Sequence, residues 1–234
     1  MKFDKKICPE HVAIIMDGNR RWAKNKRLSL SFGYKKGVET LYQTVENSIE
    51  LNIKFLTVFG FSTENWNRST SEISKLMTLF SNFLDESVEK IKNKNVRVRF
   101  IGDLSKFNNN IQDKINRLTR QSENNLGLIL TIAVNYGGRS DIVHAVKKLI
   151  NEQKFNNIDE EHFSSYMMNS EMPNPDLLIR TGAEKRLSNF LLWDLAYTEL
   201  VFLNAMWPEF DMKLLKYSLN EFKKRVRNYG GNYD

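Results

Sequence analysis

The sequence predicts an α/β fold: one domain over residues 1–234, built on a mostly parallel central sheet of about six strands flanked by helices. Three observations predict it. Short apolar runs of strand character alternate along the chain with segments of helical periodicity, the pattern that pairs parallel strands through crossover helices. The first of those runs stops at a polar, glycine-containing cluster, as strands do at the ligand-binding edge of an open parallel sheet. The 234 residues, 41% of them hydrophobic, suffice for a full core, and no linker-like composition divides them.

Each element follows from its pattern. Residues 12–16 are too short an apolar run for a helix and read as a buried strand, and the residues after Gly18 can open a helix. Over residues 33–51, Val38, Leu41, Val45 and Ile49 fall on one helical stripe, and residues 54–61 form a second strand. Ile73, Leu76, Met77, Phe80, Phe83, Leu84, Val88 and Ile91 mark a long amphipathic helix with a wide apolar face. Val96, Val98 and Phe100 alternate with Arg97 and Arg99, as in a strand open to water on one side, and Ile111, Ile115 and Leu118 restore helical spacing. Residues 128–134 form a buried strand, 140–150 and 160–168 helices, 177–179 and 200–203 the last strands, and 211–228 a closing basic helix.

Lys and Arg number 35 against 28 Asp and Glu, a net charge of +7 that favours an anionic partner such as a diphosphate, a nucleic acid or an acidic membrane surface. The one cysteine, Cys8, has no internal disulfide partner, and three scattered histidines (His11, His144, His162) do not make a zinc cluster with it. The N-terminus lacks the apolar region of a signal peptide. The run at 126–136 is too short to span a bilayer, and Asp194, Glu199 and Pro208 break the run at 189–210. These features predict a cytoplasmic protein.

Four polar clusters follow strands. In HVAIIMDGNRRW, Asp17 stands at the carboxyl end of the first strand. Gly18 there lets backbone approach a ligand, and Arg20 and Arg21 add fixed positive charge. FSTENWNRS carries Ser62, Glu64, Asn65 and Arg68; NYGGRSD places Gly137 and Gly138 before Arg139; IRTGAEKRLSNF gathers Arg180, Lys185, Arg186 and Ser188. Singly, each reads as an ordinary strand-to-helix turn. Together they bring several guanidinium groups to one edge of a sheet, which suits the planar oxygens of a diphosphate. No GxxxxGK[ST] run is present, which excludes a P-loop nucleotidase, and no DDxxD pair is present either.

The blocks HVAIIMDGNRRWAK, FSTENWNR, NYGGRSDI and IRTGAEKRLSNFLLWDLAYTELVF, in this order, resemble the signature blocks of the cis-prenyltransferase family, most closely its bacterial members. The resemblance runs from about His11 to the terminal RNYGG. It implies condensation of isopentenyl diphosphate onto an allylic diphosphate, farnesyl diphosphate in the first instance, with Mg²⁺ as cofactor. The implied product is a long-chain cis-polyprenyl diphosphate: an undecaprenyl lipid carrier for cell-wall glycan synthesis, with decaprenyl or dehydrodolichyl lengths as alternatives. Asp17 matches the family's essential aspartate, which handles the metal and the diphosphates. Gly18, Asn19, Arg21 and Trp22 continue that motif around the allylic diphosphate, Asn65 and Arg68 match residues near the reacting carbons with Ser62 beside them, and Arg180, Arg186 and Ser188 match the isopentenyl diphosphate site. Arg20, Tyr34, Thr63, Glu64 and Trp66, within or beside these blocks, complete the candidate substrate-binding set. Glu199 matches a carboxylate that the family uses with the metal, partly across a dimer interface, so a homodimer and transient contact with a membrane surface are implied.

The growing chain needs an apolar home, and the helix face at Leu76, Met77, Phe80, Phe83 and Leu84, with Leu128 and Leu130 on a strand, offers the wall of a tunnel between sheet and helices, Leu128 being a candidate for its floor. Some positions depart from the family pattern: Arg20 replaces a glycine, Leu30 an arginine, and Tyr34 and Lys185 frequent histidines. Tyr34 matters most, because a phenol of ordinary pKa near 10 is a poor base at neutral pH. The cations Lys223, Lys224, Arg225 and Arg227 raise a nucleic-acid-binding alternative, but read better as a solvated helix face in a tail resembling the one that reaches the partner subunit's site; no nucleic acid partner is expected. A non-catalytic partner subunit would lack Asp17.

Overall fold

The computed structural model describes residues 8–92, 94–153 and 158–225. The strands are β1 His11–Ile15, β2 Phe55–Ser62, β3 Arg97–Ile101, β4 Ile129–Tyr136, β5 Leu177–Arg180 and β6 Glu199–Phe202. The α-helices are α1 Asn19–Asn25, α2 Leu30–Glu50, α3 Thr70–Lys92, α4 Asn109–Ser122, α5 Gly138–Asn151, α6 Glu160–Ser164 and α7 Met212–Lys223. The strands form one six-stranded sheet in the order β3-β4-β2-β1-β5-β6, and every pairing is parallel. That agrees with the alternating pattern in the sequence.

Both faces of the central strands are buried. Val12 and Ile14 of β1 join a core with Leu56 and Val58 of β2, Leu41 of α2, Phe83 and Leu84 of α3, Ile115 of α4 and Leu215 of α7. Ala13 and Ile15 point the other way, into a smaller core with Ala133, Tyr136, Phe190, Leu191 and Leu195. The helical layer therefore covers one face, whereas the second is covered largely by irregular chain around 187–195, α5 reaching it through Asp141, which accepts from the Tyr136 hydroxyl at 2.8 Å. His11, fully buried, ties β1 to its surroundings through Thr57 Oγ1 (2.7 Å) and the Pro173 carbonyl (2.6 Å), and burial lowers its pKa to about 4.

Four expectations need correction. β3 is not open to water on the Arg99 side, because that side chain is only 15% exposed and pairs with Glu171 at 2.9 Å, the 165–172 turns lying over it. The helix expected over 160–168 ends at Ser164 and continues as turns. α7 ends at Lys223, and the tail with Arg227 and RNYGG lies outside the described residues. α2 starts earlier than the stripe indicates, because Ser29 caps it by accepting from the Phe32 N–H at 3.2 Å.

Under the second face lie two carboxyl groups, Asp141 and Asp194, 0% and 6% exposed. Asp141 also accepts from the Met168 N–H at 3.0 Å, but Asp194 Oδ2 has no hydrogen-bond partner among the described residues. Burial, and then the Asp141 charge, push the Asp194 carboxyl up to about 7. A carboxyl whose pKa is raised by folding penalises the native state increasingly as pH climbs from the unfolded value to the folded one. Asp194→Asn should therefore gain stability relative to the parent between about pH 4 and 7, by a few kcal/mol at about 1.4 kcal/mol per pKa unit. Urea melts of both proteins across that range check this; a difference that does not change with pH contradicts it.

Candidate active site

The parallel registers set the site. Ile15 pairs with Phe59 on one side and Arg180 on the other, so Asp17, Ser62 and Arg180 gather at the carboxyl edge of adjacent strands. Asp17 is held by its backbone: its N–H donates to Thr181 Oγ1 at 3.0 Å, and its carbonyl accepts from Thr181 Oγ1 (2.7 Å) and the Trp207 N–H (2.9 Å). Its carboxylate spans two guanidinium groups, Oδ1 to Arg21 Nη2 and Oδ2 to Arg180 Nη2, each at 3.0 Å. Arg180 is 3% exposed, and its Nη1 donates to Ser188 Oγ (2.7 Å) and the Arg186 carbonyl. Its Nε is buried with no partner among the described residues. Arg21 continues to Glu184 at 3.3 Å, and Glu184 to Arg186.

A second network faces the first. Arg68 Nη1 donates to the Tyr34 hydroxyl at 2.8 Å and to Glu72 Oε1 at 3.1 Å, and the Tyr34 hydroxyl donates to the same Glu72 oxygen at 2.9 Å. Arg20 stands 3.6 Å from the other Glu72 oxygen. Burial pushes the Tyr34 hydroxyl up to about 12, the Arg68 charge opposing and Glu72 adding to the rise. Nothing in the sequence pattern singled out Glu72, though it stands at i+4 from Arg68 on the first turn of α3, a spacing that pairs charges. Asn189 was missed too. It ties its own loop to two other segments: its Nδ2 donates to Glu64 Oε1 (2.9 Å), its carbonyl accepts from the Gly138 N–H (2.6 Å) and its Oδ1 from the Arg139 N–H (2.9 Å). Burial raises the Glu64 carboxyl, but hydrogen bonds led by that from Asn189 outweigh it and hold Glu64 below its ordinary value.

The edge holds a cavity of about 660 Å³ lined by Asp17, Asn19, Tyr34, Ser62, Glu64, Asn65, Arg68, Arg180, Arg186 and Ser188. An adjoining cavity of about 230 Å³ adds Gly18, Arg20 and Arg21. Trp22, Thr63 and Trp66 line neither. The Trp22 ring stacks on Phe32, 6.3 Å between centroids, while Trp66 packs edge-on to Phe61 and donates to Asn135 Oδ1 at 2.8 Å. Glu199 is not brought to Asp17 in this chain. It pairs in register with Leu177, at the opposite end of β5 from Arg180, and meets Arg225 at 2.6 Å. Arg139 and Lys185 also stand outside the cavity lining, both exposed.

Behind the polar cavity the lining turns apolar. A cavity of about 130 Å³ shares Met16, Tyr34, Phe61 and Leu76 with it and adds Met77 and Phe80 of α3, Val38 and Leu41 of α2, and Ile132 and Val134 of β4. The wide face of α3 thus divides: Phe83, Leu84 and Val88 are core, whereas Leu76, Met77 and Phe80 are half-buried at the cavity wall. Beyond Leu41 and Phe83 a further cavity of about 310 Å³ lies against Val45 and Leu130 and is rimmed by Glu39, Glu46, Lys90 and Lys94. Leu128 lines none of these cavities, whereas Leu130 lines the last.

An all-parallel sheet with a cationic cavity at its carboxyl edge and apolar space behind it defines a binder of an anionic head on an apolar chain. The comparisons agree. The prenyltransferase family described as "Putative undecaprenyl diphosphate synthase" matches residues 15–230, and the chain belongs to it. A ditrans,polycis-undecaprenyl-diphosphate synthase ((2E,6E)-farnesyl-diphosphate specific) of Photorhabdus laumondii is 44% identical over 96% of this chain and 91% of its own, and one of Yersinia pseudotuberculosis 46% identical over 95% and 90%. The crystal structure of lavandulyl diphosphate synthase from Lavandula x intermedia, in complex with dimethylallyl diphosphate, superposes with TM-score 0.93 at 35% identity over 97% of this chain and 100% of that one. That of a probable undecaprenyl diphosphate synthase from Campylobacter jejuni gives 0.81 at 34% identity over 95% and 98%.

Gly182 sits at φ +89°, and a Cβ there would meet Arg21 Nη2 at 2.7 Å and the Asp17 carboxyl carbon at 3.1 Å. Gly182→Ala is therefore expected to destabilise the fold by about 1–3 kcal/mol in chemical denaturation, because the conformation and the contacts both disfavour a side chain. Unchanged stability would mean that the ion-pair chain yields freely.

Proposed function

We propose that this protein is a cis-prenyltransferase that condenses isopentenyl diphosphate units onto farnesyl diphosphate to make undecaprenyl diphosphate, all of residues 1–234 serving one catalytic domain. The observation that carries the reading is Asp17 held between Arg21 and Arg180 at the mouth of a cavity that turns apolar within its own depth. The relatives named as synthases of this specificity support it over nearly their whole length.

In this reading Arg21, Arg180, Arg186 and Ser188 bind diphosphate oxygens, guanidinium forks matching their geometry bidentately. The buried, unpartnered Arg180 Nε is a donor still to be used. Gly18, Asn19 and Arg20 complete the allylic diphosphate's surroundings, with Ser62, Asn65 and Arg68 near the reacting carbons. Among the described residues no three His, Cys, Asp or Glu converge as a metal cage. Mg²⁺ is content with one or two carboxylates plus substrate phosphates, so Asp17 fits it as the protein's ligand. When bound, the ion would neutralise charge on the departing diphosphate. Since Glu199 lies at the far end of the strands from Asp17, any share it has in that metal belongs to a second copy, and we take the working form to be a homodimer.

The isopentenyl double bond attacks the allylic carbon as the carbon–oxygen bond to diphosphate breaks, and a proton then leaves to set the cis double bond. Fixed positive charge lowers the barrier by stabilising the leaving group. The apolar cavity behind the polar one would house the growing chain as the start of a tunnel toward Leu130, each five-carbon unit gaining roughly 4 kcal/mol at about 0.8 kcal/mol per carbon buried. The product then has to reach a membrane.

Asp17→Ala and Arg180→Ala should each lower turnover on the order of 100-fold or more with the fold retained. The assay is incubation with farnesyl diphosphate, labelled isopentenyl diphosphate and Mg²⁺, followed by sizing of the lipid; near-normal activity in both variants would refute the assignment. In the same assay Leu130→Phe is expected to shorten the product by at least one unit, because it fills the far cavity. An active variant with an unchanged product spectrum would remove Leu130 from the tunnel.

A further inference from the structure

Between Asp17 and Glu39 the chain carries seven cations and no acidic residue. Arg20 faces Glu72, Arg21 faces Asp17 and Glu184, and Lys36 faces Glu39. The other four, Lys24, Lys26, Arg27 and Lys35, are exposed and form no ion pair with a described residue. They lie along the end of α1, the turn where Arg27 takes φ +57°, and the second turn of α2. In their midst two large apolar side chains face water: Leu28, 41% exposed, and Phe32, 48% exposed and stacked on the Trp22 ring with 7° between the planes.

This hairpin also contributes Arg20, Arg21 and Tyr34 to the lining of the diphosphate cavity, so its outer surface is next to the mouth. A polyanion such as duplex nucleic acid would satisfy the cations but leave Leu28 and Phe32 in water. An anionic bilayer satisfies both, phosphates meeting the ammonium and guanidinium groups while the apolar side chains enter the headgroup boundary. We infer that the α1–α2 hairpin is the face by which this protein docks on an anionic membrane surface. Leu28 and Phe32 insert, and Lys24, Lys26, Arg27 and Lys35 engage lipid phosphates. The inference rests on the proposed function only in its purpose: docking here sets the mouth of the site against the bilayer that must take up a polyprenyl product.

The test is cosedimentation of the full-length protein, without substrate, with vesicles rich in phosphatidylglycerol and with vesicles of phosphatidylcholine alone. The protein should bind the first and not the second, and should come off as salt rises toward about 0.5 M, where screening leaves surface charges little reach. Replacing all four cations (K24Q, K26Q, R27Q, K35Q) should weaken binding on the order of 100-fold or more, at about fivefold per cation. L28S with F32S should weaken it at least about tenfold at unchanged charge. L28S alone, which spares the Trp22 stack, should lose several-fold with an unchanged melting temperature. Equal binding to both vesicle types, wild-type affinity in the four-cation variant or in the L28S variant, or tighter binding to a DNA duplex than to the anionic vesicles would overturn the proposal. Condensation of farnesyl and isopentenyl diphosphates in detergent, without vesicles, reports the enzymatic reading separately and should be unchanged in the four-cation variant.

Discussion

The structure turns on one buried guanidinium. Burying Arg180 removes a permanent charge from water, which costs several kcal/mol unless its donors and its charge are met. They are met by Asp17 on one side and by Ser188 and the Arg186 carbonyl on the other. The first partner is fixed by the register of β1 against β5, and the second requires the chain after β5 to double back over the strand end. That return takes Ala183, Ser188, Asn189 and Leu191 to positive φ, costs that a surface loop without such partners has no reason to accept. The pocket is thus specified by how one charge is compensated. Of the Arg180 nitrogens, Nε alone is left without a partner among the described residues.

The second network obeys the same logic with the signs exchanged. Glu72, 8% exposed, is a nearly buried carboxylate compensated by Arg68, Arg20 and the Tyr34 hydroxyl. Two clusters of opposite centre, one a buried cation and one a buried anion, thus contribute to the lining of the same cavity. Cations nevertheless prevail in the lining, with Arg20, Arg21, Arg68, Arg180 and Arg186 against Asp17 and Glu64. The cavity is therefore suited to a ligand that brings its own negative charge.

The sheet and the edge where the site forms were legible because they rest on period: short apolar runs against helical stripes, with the polar clusters falling at strand ends. The layer on the second face was not, because the chain from Leu187 to Leu195 packs Phe190, Leu191 and Leu195 without any regular spacing. Asn189 and Glu72 escaped notice for a related reason. Their importance lies in partners more than 35 positions away, Glu64 and Tyr34, and no local pattern encodes such a meeting. Trp22 and Trp66 show the converse: motif membership places them beside the site, while only the structure shows their rings packing on Phe32, Phe61 and Phe107. For Glu199 the structure adds what a family block does not carry, namely that it lies at the opposite end of the strands from Arg180.

The departure at Tyr34 bears on how the proposed reaction loses its proton. The hydroxyl donates to Glu72 while accepting from Arg68, and burial holds its pKa at about 12, so at neutral pH it stays protonated and is a poor base. Its effect is to fix Arg68. The carboxylates in the lining are no better as bases: Asp17 is tied to two guanidinium groups, and Glu64 is held below its ordinary pKa by its hydrogen bonds. With the side chains so engaged, the basic oxygens that the proposed reaction would leave available are those of the diphosphates themselves. In the proposed reaction a site built this way would need from its protein only that the diphosphate be placed beside the carbon that gives up the proton, and an Arg68 held by Tyr34 and Glu72 suits that placement.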